Sequence, residues 1–339
     1  MMRLTLRRKK TPKQDYPRIT VGIPVFNGQA FLTETIDALL HQTFTDFELV
    51  ISDNASTDRT EVICRAFAAR DRRVRYYRST TNRGAAWNHN RVFELAKGEL
   101  FKWNSADDVC APEFLSLCVA ALDQDSDAVM ATAQCVEIDE SGIPLASVSV
   151  PDQTLLTAVP MGAPPHIRFR QTIRLDHLCL SIYSLMRSSA LRQTALIGNY
   201  ADSDRVLLAH LALLGHAVTI PKILFFNRDH PGRFTRLYNG ERFRDRGSWF
   251  DPSNANRRLF PYWRELFELL CVIRKTSIGW RERVRCYREI GLWLRRERYL
   301  RLLYIDATCY PRKWIVRRVP RAKVVWNRLK GREIASREV

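Results

Sequence analysis

Four polar runs in this chain carry side chains able to handle a charged, oxygen-rich ligand. The first, Asp53-Asn54-Ala55-Ser56-Thr57-Asp58, directly follows an apolar run. A carboxylate and an amide in that place can hydrogen-bond the edge of a pyrimidine or a ribose, and Ser56, Thr57 or Asp58 can equally cap a following helix. The second is Asn104-Ser105-Ala106-Asp107-Asp108. Hard cations take oxygen ligands, and Mg2+ often uses only one or two carboxylates plus phosphate oxygens. Asp107 and Asp108 therefore suit Mg2+ or Mn2+ neutralising charge on a leaving phosphate, or else an acidic cap ahead of Pro112. The third, Asp202-Ser203-Asp204, opens a helical pattern. A carboxylate there can take the proton of an attacking hydroxyl, although the spacing by itself favours an N-cap. The fourth, Arg228-Asp229-His230-Pro231-Gly232-Arg233, sets His230 between arginines. His230 could ligate a metal or phosphate and Arg233 could pair with a diphosphate, whereas a lone turn histidine is ordinarily a surface residue.

The elements that must position these runs alternate between strand and helix. Ile19–Phe26, Phe47–Ser52, Arg73–Tyr77 and Leu100–Trp103 are short apolar, β-branched or aromatic runs and predict strands. Between and after them, 30–42, 57–70, 85–96 and 112–122 have helical spacing, with Gly98 and Pro112 as stop and start signals. This βαβα order predicts an α/β fold with a mainly parallel central sheet flanked by helices. Right-handed crossovers put every strand-to-helix loop on one edge, and ligands of such sheets bind at the carboxyl ends of the strands. Asn27, Asp53, Asn54, Ser105, Asp107 and Asp108 all fall on that edge. Further on, 128–138 and 181–186 read as strands and the Pro-rich 151–165 as a loop. A helix is expected over 204–214, and 218–226 reads as a strand pair split by Pro221. Residues 240–258 read as a loop, and the chain from Phe260 as basic helices burying Trp280, Val284, Tyr287, Leu294, Leu300 and Leu303.

Composition narrows the class. With 46% hydrophobic residues in 339, the chain has material for one large α/β domain and an appendage. No apolar run reaches the roughly 18 residues of a spanning helix. The basic N-terminus has no apolar segment behind it, so a cytosolic protein is expected. Eight scattered cysteines form no CxxC pair, which gives no support to a zinc site or disulfide framework. The net charge of +18 sits at the ends: residues 1–18 carry 7 Lys/Arg against 1 acid, and residues 257–339 carry 23 against 8. The slightly acidic body and the lack of a nucleic-acid motif argue against a nucleic-acid partner. GxxxxGK[ST], GxGxxG and GxSxG are all absent, which removes the P-loop, dinucleotide and nucleophile-elbow readings.

Read in order, the segments resemble the family 2 glycosyltransferases of the GT-A fold. The match runs through Val21-x-x-Pro24-x-x-Asn27, Ile51-Ser-Asp-Asn-Ala-Ser-Thr-Asp58, Asn82-Arg-Gly84, Asn90, Ala96-x-Gly98 and Ser105-Ala-Asp-Asp108. Asp204-x-x-Leu207, with Leu211 and Gly215, resembles the family's acceptor-side Glu-Asp helix. The resemblance covers about residues 18–235. It implies an inverting transfer from a nucleoside diphospho-sugar donor to a hydroxyl acceptor on a glycan, lipid-linked or secondary-metabolite compound. By it, Pro24, Asn27, Asp53, Asn54, Asn82, Arg83, Gly84 and Ser105 would line the nucleotide side, and Asp107 and His230 would hold Mg2+ or Mn2+. Asp204 would be the base, with Asp108, Asp202 and Arg233 as secondary candidates. The implied organisation is a basic arm over 1–17, a GT-A domain over 18–239 (donor half 18–125, acceptor half 126–239), a loop over 240–258 and a basic helical region over 259–339.

Two departures stand out. Ser105-Ala106-Asp107 replaces the usual Asp-x-Asp, and Ser203-Asp204 replaces Glu-Asp. A sugar-1-phosphate nucleotidyltransferase is the alternative enzyme, although no Gly-rich phosphate loop follows the first strand, and Ser105 leaves room for a non-catalytic relative. The Arg- and Trp-rich 259–339 region suits either docking on an anionic membrane surface, with the protein peripheral on the inner face, or a solvated basic face.

Overall fold

The computed structural model describes residues 16–145, 159, 162–174, 179–237, 246–255, 257, 259–295 and 299–308. Most of the N-terminal arm (1–17) and about two thirds of the 151–165 segment lie outside the described residues, as does the whole chain beyond 308.

Eight strands form one sheet in the order β3-β2-β1-β4-β7-β6-β8-β5. Strand β1 (Ile19–Val25), β2 (Phe47–Asp53), β3 (Val74–Arg78) and β4 (Leu100–Trp103) pair in parallel. All seven residues of β2 are buried, as expected of a strand covered on both faces. The β1–β2 ladder keeps register from Ile19 opposite Phe47 to Val25 opposite Asp53. Both strands therefore end at one level, and Asn27 and Asn54 leave the sheet on the same edge. Helices α1 (Leu32–Leu40), α2 (Thr60–Arg70) and α4 (Phe114–Gln124) cover one face, and α3 (Ala85–Glu94) packs on the other. Gly22 permits the close seat of α3, since a Cβ there would sit 2.8 Å from the Val92 side chain.

The second half mixes directions. Strand β7 (Leu185–Arg187) runs antiparallel to β4 and to β6 (Ala128–Ile138), while β8 (His216–Arg228) is parallel to β6 and antiparallel to β5 (Val109–Cys110). The expected split at Pro221 does not occur. β8 is continuous because Pro221 and Lys222 form a bulge: Ala133 faces Ile220, and its neighbour Gln134 faces Ile223. The expected strand over 181–186 is a 3-10 turn (Leu180–Tyr183) followed by β7.

Helices α5 (Pro165–Arg174), α6 (Ser188–Leu191), α7 (Ser203–Leu214) and α8 (Phe234–Leu237) complete this half. The segment read as a loop over 240–258 instead contains α9 (Arg246–Phe250) and a 3-10 turn (Pro252–Asn254). Trp249 and Phe250 supply what its polar composition hides, an aromatic contact with Phe234. Helices α10 (Pro261–Lys275) and α11 (Trp280–Leu294) pack with α5 and α7 around Phe169, Val206, Leu269 and Trp293. α7 is thus buried on nearly all sides, with Leu207 and Leu211 turned to the sheet and Val206 and Ala209 to the C-terminal helices.

One expectation about those helices is corrected. Leu303 is buried, but Trp280, Val284, Tyr287 and Leu300 are exposed, and α11 buries Cys286, Glu289, Ile290 and Trp293 instead. The helix carries two apolar stripes, and periodicity cannot say which one finds a neighbour.

Candidate active site

At the carboxyl edge of the parallel strands lies a cavity of about 710 Å³, within the range usual for a small-molecule site. Pro24, Asn27, Asn54, Asn82, Ser105, Asp107, Asp108, Asp204, His230 and Arg233 all line it. These residues come from both halves of the sheet, and Pro24 and Arg233 at the two extremes are some two hundred residues apart in sequence.

The loops after β1, β2 and β3 are stitched together by side chain to backbone bonds. Asn27 has φ 53, a left-handed turn that asparagine tolerates. Its amide donates to Ser56 Oγ at 2.9 Å, and its Oδ1 accepts from the Thr57 amide at 2.8 Å. Asp58 serves the turn into α2: Oδ1 accepts from the Thr60 amide at 3.0 Å and Oδ2 from the Gln29 amide at 3.0 Å. Asn54 Nδ2 donates to Asn82 Oδ1 at 2.9 Å and to the Gly84 carbonyl at 3.1 Å. Its Oδ1 accepts from the Arg83 amide at 2.9 Å.

Asp53, expected among the nucleotide contacts, stands behind the cavity wall. Its side chain is fully buried, with Oδ1 accepting from the Ser56 amide at 2.8 Å and Oδ2 from Tyr76 Oη and Arg78 Nη1, both at 2.7 Å. Burial opposes its ionisation, but the bonds from Ser56, Tyr76 and Arg78 outweigh it and hold the carboxyl below its usual range. Asp53 therefore fixes the loops that face the cavity. Gly84 and Arg83 also lie off the lining: the Arg83 guanidinium stacks 4.3 Å from the Trp87 ring. Gly84, at φ 87, lets the Phe250 carbonyl of α9 approach to where a Cβ would be only 2.3 Å away. Asn90, on the far side of α3, bonds both ways with the Ile197 backbone at 2.9 and 3.0 Å.

The 104–108 loop is anchored from below. Lys102, fully buried on β4, donates to the Trp103 carbonyl at 3.0 Å and to Asn104 Oδ1 at 2.9 Å, and lies 4.9 Å from the Phe114 ring centre. Burial pushes its ammonium pKa down. Asn104 Nδ2 then donates to the Ser105 and Asp108 carbonyls at 2.8 and 3.2 Å. This presents Asp107 to the cavity, where its Oδ2 lies 2.8 Å from His230 Nε2 and its Oδ1 accepts from Ser105 Oγ. Burial disfavours the Asp107 carboxylate, but the bonds from His230 and Ser105 prevail and its pKa is lowered. Asp108 is the opposite case: burial first, then the Asp107 charge, push its carboxyl up to about 8. Its Oδ1 accepts from Asn227 Nδ2 at 3.0 Å and the Arg228 amide at 2.8 Å, so it joins the loop to β8.

Arg228 completes that joint. Its wholly buried guanidinium donates to the carbonyls of Asp107 (3.0 Å), Asp139 (3.1 Å) and Glu140 (3.0 Å) and to Glu34 Oε2 (2.7 Å). Arg233, expected to meet a diphosphate, lines the cavity with its guanidinium held by Glu137 at 3.1 Å and by Asn227.

In the second half of the sheet, Asp202 occupies the N-cap position of α7 with φ 64 and makes no side-chain capping bond, contrary to the bare spacing argument. Asp204, in the first turn, reaches the cavity and accepts from the Arg205 amide at 2.9 Å. Asp202 does not line the cavity.

Several lining residues had no signal in the sequence. Asn88 donates to the Val25 and Ser52 carbonyls at 3.2 and 2.9 Å, while its buried Oδ1 has no hydrogen-bond partner. His89, whose imidazole pKa is pushed down by burial, and the aromatic group of Phe234, Trp249 and Phe250 also line the cavity. Asn88 and His89 sit at helical spacing that reads as an ordinary polar face.

The family profile described as Glycosyl transferase family 2 matches residues 20–193, just over half of the chain. The chain is 31% identical over 123 residues to glycosyltransferase GlyG of Streptococcus pneumoniae serotype 4, covering 36% of this chain and 40% of that protein. It thus spans about two fifths of that relative's length. Among solved structures, it is similar to S. aureus TarS 1–349, with TM-score 0.59, 15% identity, and 82% of this chain and 71% of that one covered. It is also similar to the same protein in complex with UDP-GlcNAc, with TM-score 0.53, 17% identity, and 86% and 87% covered. At such identities the likeness shows the fold, which is that of the GT-A glycosyltransferases.

Proposed function

Because the chain belongs to glycosyl transferase family 2, we propose that it moves a sugar from a nucleoside diphospho-sugar to a hydroxyl acceptor with inversion at the anomeric carbon. The observation that carries this reading is the convergence of the Asp107–His230 pair and Asp204 on one cavity at the strand ends. Pro24, Asn27, Asn54, Asn82 and Ser105 form the nucleotide wall, with Asp53, Arg83 and Gly84 supporting it from behind. The acceptor oxygen attacks the anomeric carbon as its bond to the diphosphate breaks. Asp204 takes the hydroxyl proton, and the nucleoside diphosphate leaves with the bonding pair. S. aureus TarS has been crystallised with UDP and with UDP-GlcNAc, which supports a nucleotide-sugar donor here.

The residues present fit Mg2+ or Mn2+. Asp107 and His230 meet at 2.8 Å facing the cavity, and no third His, Cys, Asp or Glu joins them in a metal-holding group among the described residues. The Asp107 carboxylate would hold a hard cation, with diphosphate oxygens and water as its further ligands, and the His230 imidazole matches Mn2+ better than Mg2+. Such an ion would neutralise charge on the leaving diphosphate. Ser105 stands where a second carboxylate would be, and instead donates to Asp107.

The test is nucleotide release from a panel of UDP-, GDP-, dTDP- and CDP-sugars with Mg2+ or Mn2+. Asp107→Ala and Asp204→Asn should each lower turnover by on the order of a hundredfold or more, with Asp107→Ala also abolishing the metal response. Full turnover in both variants would overturn the assignment.

A further inference from the structure

Helix α11 exposes the stripe that periodicity would have buried. Trp280, Val284 and Tyr287 stand at i, i+4 and i+7, one line along a helix, and are 70%, 58% and 37% exposed. Its other stripe, through Cys286, Ile290 and Trp293, already holds the helix against its neighbours, so the outer stripe adds nothing to the core. The pattern recurs next to it. Trp263 and Phe267 on α10, and Leu300 and Tyr304 in 299–308, are exposed pairs at i, i+4. The Trp263 indole donates to the Leu303 carbonyl at 3.1 Å, so these two helices lie side by side. Scattered exposed apolar residues are ordinary, whereas Trp280, Val284 and Tyr287 make one apolar line along α11 that is unpartnered among the described residues.

Charge selects the occupant. Arg281 lies 5.4 Å from the Trp280 ring centre, and Arg285 and Arg288 follow on the flank of the same stripe. Residues 257–339 carry 23 Lys/Arg against 8 acids. A second copy of the chain would bring the same excess and be repelled, whereas a surface of anionic lipid brings its complement. Exposed aromatics flanked by arginine are the pattern of a helix that lies in the headgroup layer. Among the described residues no helix is long and apolar enough to cross a membrane.

We infer that α11, with α10 beside it, seats the protein on an anionic lipid surface. Trp280, Val284 and Tyr287 enter the headgroup layer, and Arg281 and Arg288 meet lipid phosphates, while Arg285 is paired with Glu282 at 2.6 Å. α10 packs on α7, whose first turn carries Asp204. The docked face and the acceptor side of the cavity therefore share one packed unit, which suits an acceptor presented at a lipid surface. That last step rests on the role proposed for Asp204; the docking does not.

The experiment is flotation of the full chain with phosphatidylcholine vesicles, with or without phosphatidylglycerol, at low and high salt. The chain should float with the anionic vesicles alone and be released as salt screens the arginines. Trp280→Ala/Tyr287→Ala should weaken binding roughly tenfold, from the apolar area lost, and Arg281→Glu/Arg288→Glu should abolish it. All four side chains are outside the core, so the far-ultraviolet circular dichroism of the variants should match the parent. Nucleoside diphosphate affinity should also be unchanged, which separates a failure of docking from a failure of the donor-site reading. Absence of binding at low salt, equal binding to neutral vesicles, or binding indifferent to both double variants would overturn the proposal. So would a dimer in solution that Trp280→Ala/Tyr287→Ala dissolves, since the stripe would then belong to a second copy.

Discussion

Replacing Arg228 with methionine should destabilise the protein by about 3 kcal/mol. The side chain is wholly buried and serves four acceptors: the carbonyls of Asp107, Asp139 and Glu140, and the Glu34 carboxylate. Glu34 is 54% exposed and can return to water at little cost. The three carbonyls sit under the guanidinium and lose a charge-assisted donor, at roughly 1 kcal/mol or more each. Methionine fills most of the vacated volume, and removing a buried cation recovers part of its desolvation penalty, which keeps the sum near the lower end. Arg228→Lys should fall between, because one ammonium cannot reach partners spread around a planar fork. The assay is urea unfolding followed by circular dichroism, comparing midpoints at constant slope. A loss under about 1 kcal/mol for the methionine variant, or a lysine variant equal to the parent, would show that the joint between the 104–108 loop and β8 does not depend on Arg228.

Glu265, buried on α10, gives a pH signature. Burial, then the charge of Asp202, push its carboxyl up from 4.5 to about 8, and its Oε1 has only an ion-pair contact with Arg205 Nε at 3.4 Å. A folded-state pKa above the unfolded one means that the native state holds the extra proton between those values, so stability falls as pH rises through that window. Glu265→Gln, which mimics the protonated form, should gain on the parent from pH 5 to 8 by on the order of a few kcal/mol; a pH-independent difference in unfolding free energy would refute this. Gly84→Ala should cost about 2 kcal/mol or more, since φ 87 is strained for alanine and its Cβ would meet the Phe250 carbonyl at 2.3 Å. Hydrogen exchange should show faster amide exchange across 246–254, and parent-like protection there would count against the contact between α9 and the 81–84 turn.

The parallel half of the sheet was legible because its signals are local. Runs such as Ile19–Val25 and Phe47–Asp53 are continuous and β-branched, and the polar residues follow each run directly. The second half was less so. Pro221 signals a break, yet β8 absorbs it in a bulge because ten residues of β6 pair with β8 on both sides of it. α9 hides in a polar segment because its helix depends on Trp249 and Phe250 meeting Phe234, some fifteen residues back in sequence.

What the sequence by itself determined was the alternation of strand and helix in the parallel half, the edge on which the polar loops gather, and the family to which that ordered set of residues belongs. Tertiary structure alone decided which side chains face the cavity. Asp53 and Asp107 look alike in sequence, each following an apolar strand; Tyr76 and Arg78 on the neighbouring strand turn the first inward, while Arg228 and His230 hold the second at the cavity. It also decided which stripe of α11 is core and which is surface. In both cases the deciding partners are remote in sequence, so no local pattern can carry the answer.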